Sequence, residues 1–206
     1  MSKFPKANAL RSVPKALLIG ATALGLAGCV SVLPEPNAAN ALFEVSVADT
    51  APHSLSNDIV VRQPEAVRVF AGQSIVAAND AGGLLLVPGV EWAGPSTQIM
   101  QLALINALNG GDGEGIAVSP AAGTRGDYEI EWRIRDLALR GDSAVCELEA
   151  IVLEGTTRSP VDRIVVRRSA DISSAQADIR AKTLSETAAS AVSELATAIA
   201  EGLPAN

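Results

Sequence analysis

Cys29 closes the run Leu26-Ala27-Gly28-Cys29 behind a short apolar stretch, and of all 206 residues it is the one whose neighbours specify a reaction. Its thiol can take a lipid as a thioether, and Leu26 followed by the small Ala27 and Gly28 suits the cleft of a signal peptidase. An ordinary export signal needs only the small residues, so the cysteine makes this the pattern of a bacterial lipoprotein. The segment before it has the order of an export signal. Lys3, Lys6, Arg11 and Lys15 give a positive start, and Ala16 to Gly28 then runs without a charge. That core is shorter than the roughly 20 apolar residues a membrane span requires, which weighs against the alternative of a transmembrane anchor.

Other chemistry-bearing residues are sparse. His53 is the single histidine, and although Ser54, Ser56 and Asp58 lie close in sequence, the loop is polar, contains Pro52 and has no Gly-x-Ser-x-Gly elbow. It reads as an exposed loop histidine. One histidine and one remaining cysteine do not make a zinc site, so no metal, no cofactor and no catalytic residue is expected, and the chain reads as a non-enzyme. Cys146 sits among alternating apolar residues as a small buried hydrophobe, and with Cys29 committed to lipid no intramolecular disulfide can form. Asn109 to Gly115 lacks the Lys-Ser/Thr ending of a phosphate loop and occurs once, as a flexible connector would. Arg125-Gly126-Asp127 is turn chemistry ahead of a strand. The pairs Glu129/Glu131 and Glu147/Glu149 alternate with apolar residues near arginines, the pattern of a solvated sheet face. Trp92 lies between Pro88 and Pro95 and is either a core plug or an interface anchor, with Glu91 near its rim. Glu91 and Trp92 are the candidate partner-binding residues.

Removing residues 1–28 takes away four positive charges and no negative ones, so the formal charge moves from −7 to −11 over the remaining 178 residues. A nucleic-acid partner is not expected of such a chain, since phosphate binding would need a basic face. Three regions result: a lipoprotein signal peptide over 1–28, a lipidated N-terminus and extended tether over 29–41, and one periplasmic domain over 42–203. Pro34 and Pro36 keep the tether extended, and Val30 to Asn40 could hold the domain up to about 36 Å from a membrane. The residue after the cysteine is Val30 where an aspartate would favour inner-membrane retention, which points to the periplasmic face of the outer membrane.

The elements that must position these residues follow from periodicity. Phe43, Val45 and Val47 alternate with Glu44 and Ser46 as a strand would, and further strands are expected at 59–61, 66–70, 74–77 and 84–87. Pro95 opens a helix over 97–109 whose buried face is Ile99, Leu102, Ala103, Ile105 and Leu108, broadened by Met100 and Leu104, before Gly110-Gly111. Tyr128, Ile130, Trp132 and Ile134 oppose Glu129, Glu131, Arg133 and Arg135, and the parity inverts at Asp136, as a bulge would make it. Strands at 143–154 and 161–168 complete an antiparallel meander, with Glu147 and Glu149 facing the arginines. Ser173 and Gln176 fit a capping box for a long helix to about residue 201, striped by Leu184, Ala188, Ala191, Val192, Leu195, Ala198 and Ile199.

Gln63-Pro64-Glu65-Ala66, Ile75-Val76, Pro88 to Ala93, Met100 to Leu104 and the Tyr128–Leu139 strand, behind the cysteine and the proline tether, together resemble the ABC-type transport auxiliary lipoprotein family. The resemblance implies a layered α/β domain with a mixed sheet, similar to the amino-terminal domain of TolB. It implies an auxiliary role in lipid transport, with an MCE-domain protein and ABC transporter subunits as partners and assembly into a homo-oligomer as an option. Phe43-Glu44-Val45 stands where many members have Tyr-x-Leu. The runner-up reading is a periplasmic carrier that encloses a lipid or small hydrophobic ligand in its own fold, and a periplasmic enzyme ranks third.

Overall fold

Thirteen residues from Tyr128 to Arg140 form a strand on which most of the sheet is built. In chain order the elements are β1 (Ala41–Phe43), β2 (Ile59–Val61), β3 (Glu65–Ala66), α1 (Arg68–Ala71), β4 (Ser74–Ala78), β5 (Leu84–Trp92), α2 (Ser96–Leu108), β6 (Ala117–Val118), β7 (Tyr128–Arg140), β8 (Ser143–Glu154), β9 (Pro160–Asp171) and α3 (Ala177–Gly202). The computed structural model describes residues 39–47, 55–111 and 113–204, which fall in one unit spanning Asn37–Asn206. One edge of β7 pairs with β8 antiparallel along its whole length, and β9 extends this meander. The opposite edge is tiled by three short parallel strands in succession: β2 at Tyr128–Ile130, β3 at Arg133–Ile134 and β4 at Leu139–Arg140. Beyond them β5 pairs with β4, β1 with β5, and β6 with β2.

The fold is mixed α/β, with α3 laid across β8 and β9 and packed against α2. Ile130, Trp132 and Ile134 face this side, where Leu148 and Val152 meet Leu184, Val192 and Leu195 of α3 in one buried cluster. Alanines at 181, 188, 191 and 196 are fully buried, which lets the helix approach the sheet closely. The β7–β8 register shifts between Ile134 and Asp136, the bulge that the change of parity predicts. Without it Leu137 and Leu139 would project outwards and Arg140 inwards.

Several expected boundaries move. The first strand is Ala41–Phe43 and stops where its partner strand β5 ends at Trp92, although Val45 is still buried. Residues 66–70 are not a strand: only β3 is extended, and the Phe70 and Ala71 N–H groups then turn back to the Val67 carbonyl to make α1. In α2 the buried face is Met100, Ala103, Leu104, Ala107 and Leu108, whereas Leu102 is 60% exposed and Ile105 half-buried. Two faces of this helix are equally apolar, so periodicity alone does not choose between them; contact with α3 on one side does. The capping box at Ser173 is absent, because Ile172 is still held to the Asp142 carbonyl and the helix begins at Ala177 behind Gln176. Gly113 and Gly115 of the expected connector are closely packed: a Cβ on Gly115 would lie 2.4 Å from the Asn57 carbonyl oxygen, and the Gly115 N–H donates to the Leu55 carbonyl. The Asn109 amide also bonds both backbone groups of Ala117, tying the end of α2 to β6.

The choice of face on α2 is tested by two truncations. Leu104→Ala is expected to lower unfolding free energy by about 2–5 kcal/mol and Leu102→Ala by no more than about 0.5 kcal/mol, measured by urea denaturation. Equal losses would contradict the packing described.

Candidate docking surface

The meander's other face is exposed and built almost entirely of ion pairs. Outward side chains are Glu129, Glu131 and Arg133 on β7, Glu147, Glu149 and Ile151 on β8, and Val161, Arg163, Val165 and Arg167 on β9, as the paired register requires. Arg133 and Arg163 both reach Glu149 at 2.6 Å, and Arg135 and Arg167 reach Glu147 at 3.0 and 2.7 Å. Arg62, from the segment after β2, and Arg158, from the β8–β9 turn, both bind Glu129 and lie 3.1 and 3.0 Å from Glu131. Arg140 holds Asp136 at 2.6 Å.

The geometry sorts the two charges by depth. Glu129 and Glu149 are buried while the guanidinium groups above them stay about half exposed. This differs from the solvated face expected, because each central carboxylate accepts two or more arginines and is covered by their planes. Hydrogen bonds from Arg133 and then Arg163 hold the Glu149 carboxyl below the usual carboxylate range, and Glu129 raises the pKa of Arg62 in turn. Among the described residues the network counts seven arginines, at 62, 133, 135, 140, 158, 163 and 167, against five carboxylates. Hence an acidic chain presents a positively biased surface, with Glu65 at its margin and the exposed Ile151, Val161 and Val165 between the arginines.

The sequence-derived site residues fall in different places. Leu26, Ala27, Gly28, Cys29 and His53 lie outside the described residues. Trp92 is 2% exposed and takes the core alternative, while Glu91 beside it is half-buried and pairs with the exposed Leu42 of β1. Glu91 borders an open groove of about 490 Å³ at the Pro88-Gly89 bulge of β5, where Gly89 has φ +78° and Asn40 and Ser74 approach. A side chain at Gly89 would be strained there. Cys146 is buried and its thiol pKa is pushed up by desolvation, which suits the small-hydrophobe reading. Among the described residues no three His, Cys, Asp or Glu side chains gather as metal ligands, and no helix is long and apolar enough to cross a membrane. The grooves on the meander face, about 190 and 520 Å³, are open and lined by Glu65, Glu131, Arg133 and Arg135. Periodicity revealed the facing charges; it carried no sign that Arg62 and Arg158 would join them, since one comes from the segment after β2 and the other from the β8–β9 turn.

A family model described as an ABC-type transport auxiliary lipoprotein component matches residues 42–200. Among solved structures, the protein XCC0632 from Xanthomonas campestris, of the family model DUF330, is 19% identical with TM-score 0.66, covering 80% of this chain and 95% of its own. An uncharacterized protein is 16% identical with TM-score 0.59, covering 72% of this chain and 96% of its own. These likenesses establish the fold. No curated protein matches the chain.

The ion lattice makes stability depend on pH in a definite direction. A carboxyl held below its unfolded value of about 4.3 contributes stability that is complete above that pH and is lost as pH falls through the lowered value. Urea unfolding across this acidic range is therefore expected to show the wild type losing stability more steeply than Glu149→Gln, which starts lower at neutral pH. Parallel curves would contradict the role given to Glu149.

Proposed function

The chain belongs to the ABC-type transport auxiliary lipoprotein family, and from that premise we propose that it is an outer-membrane lipoprotein that docks a partner through its arginine-rich sheet face and catalyses no reaction. Signal peptidase would recognise Leu26, Ala27 and Gly28, and Cys29 would carry the lipid that holds the domain at the periplasmic face of the membrane. The partner is an acidic surface on an MCE-type tunnel protein working with ABC transporter subunits, and the cargo is phospholipid or a related lipid.

One observation carries this reading: an exposed face where arginines stand over buried carboxylates and surround Ile151, Val161 and Val165. Arginines already oriented by Glu147 and Glu149 lose little side-chain freedom when a partner arrives, and apolar residues among them supply desolvated contact. Arginine is enriched where interfaces concentrate their binding energy. Glu91 and Leu42 extend the candidate surface along β1 and β5, with Trp92 fixing that strand from the core. The carrier alternative needs a closed apolar chamber, whereas Leu148, Leu184 and Leu195 fill the space between sheet and helix.

Two measurements test the proposal. Metabolic labelling with radioactive palmitate should mark the wild type and leave Cys29→Ala unmarked; an unmarked wild type would overturn the anchor. Mild crosslinking and co-purification from membranes should recover an MCE or ABC component, with recovery about tenfold lower for Arg163→Glu/Arg167→Glu, a loss of about 1.4 kcal/mol. Recovery of no such component, or undiminished recovery in the variant, would overturn docking by this face.

A further inference from the structure

The β4–β5 hairpin carries Leu84, Leu85 and Leu86 at 39%, 56% and 60% exposure. Three consecutive exposed leucines on a strand place apolar side chains on both faces of the ribbon, so no single body of the protein covers them. An isolated exposed leucine means little, but three in succession on both faces of a ribbon, just behind its turn, mark a contact site. Between Val69 and Val90 the only ionisable side chain is Asp80, in the turn that includes Gly82 and Gly83. This is unlike the meander face, where every apolar residue stands beside an arginine.

Direction identifies what the ribbon meets. β1 runs parallel to β5, and the Asn40 N–H donates to the Gly89 carbonyl at 2.8 Å. The chain before Asn40 therefore joins the fold at the end of β5 from which the leucines project, and Leu86 is three residues from Gly89, about 10 Å along the strand. Cys29 precedes Asn40 by eleven residues, which reach at most about 36 Å. A tether of that length, entering from the side of β5 that leads back to Leu84, leaves the leucine ribbon within reach of a membrane that Cys29 would hold. Among the described residues β1 covers only Val90–Trp92 of β5, so backbone groups along Leu84–Val87 are left at an edge. Such groups are costly in hydrocarbon and readily satisfied among lipid headgroups, which sets a shallow depth.

Building on the Cys29 anchor proposed above, we infer that Leu84–Leu86 is a second membrane contact that inserts at the interfacial depth of the bilayer and fixes which end of the domain faces it. The turn at Gly141 between β7 and β8 and the start of α3 share that end, since β7 runs opposite to β5. The strands of the meander then stand away from the membrane, with the arginine face turned sideways and open to a partner.

The test uses the full lipidated chain carrying Leu85→Cys, labelled with an environment-sensitive fluorophore. Cys29 is blocked by lipid and Cys146 is buried, so the new thiol is the one that reacts. In phosphatidylethanolamine–phosphatidylglycerol vesicles with brominated acyl chains, the label should shift to the blue and be quenched, while a label at Leu102→Cys on α2 stays in water. Leu84→Ser/Leu86→Ser in the same background should keep the circular dichroism spectrum and lose most of the quenching. Protein that floats with vesicles while the label at 85 stays as wet as that at 102 overturns the ribbon contact alone; protein that does not float overturns the anchor as well. Shielding that appears without vesicles and rises with protein concentration, or only after a partner protein is added, assigns the leucines to another chain and also overturns the inference.

Discussion

The register of β7 is the constraint on which the rest depends. One edge of it is committed to β8 for its full length, and the other aligns β2, β3 and β4 end to end, so strands too short to persist alone are held by a shared neighbour. The bulge between Ile134 and Asp136 keeps this arrangement consistent on both faces. Before it, odd-numbered charged residues point outwards; after it, Leu137 and Leu139 turn in and Asp136 and Arg140 turn out, where they pair with each other. A single extra residue thus allows one strand to line a core and an ion lattice over its whole length.

That lattice is a consequence of sheet geometry combined with turn sequences. Cross-strand pairing brings Arg133 to Glu149 and Arg167 to Glu147, and Arg62 and Arg158 close over Glu129 from the far end of the strand. Carboxylates with several arginines each are desolvated but fully paired, while the outer guanidinium groups keep donors free for a partner. The surface is positively biased even though the chain is acidic, because arginines outnumber carboxylates in the network and Glu129 and Glu149 lie beneath them, while Glu131 is only half-buried. Net charge, the basis for expecting no nucleic-acid partner, said nothing about this face.

The meander was legible in the sequence because strict alternation over 128–135, an inverted parity at Asp136 and the Gly141-Asp142 turn leave one arrangement. The long helix was legible from its alanine-rich stripe, although its start was not: Ser173 looks like a cap, but Ile172 is still tied to Asp142 of the sheet edge. Short elements were less legible. β3 and α1 share a run, Ala66 to Phe70, whose β-branched residues suit a strand, and tertiary pairing gives only two residues to the sheet. In α2 two apolar faces compete and the neighbour decides. The glycines at 113 and 115 looked like looseness because backbone approach to Leu55 and Asn57 comes from a segment over fifty residues away. For the candidate surface, the facing glutamates and arginines of the meander were readable, but the depth ordering and the contributions of Arg62 and Arg158 from outside the strands required the fold.

Docking through the arginine face is the central claim, and its most direct measurement is site-specific photocrosslinking in intact cells. A photoreactive residue at Val165, between Arg163 and Arg167, should yield an adduct containing a component of an ABC transport system, while the same residue at Leu102 on the helical side should not. Adducts from Leu102 and none from Val165 would contradict the account.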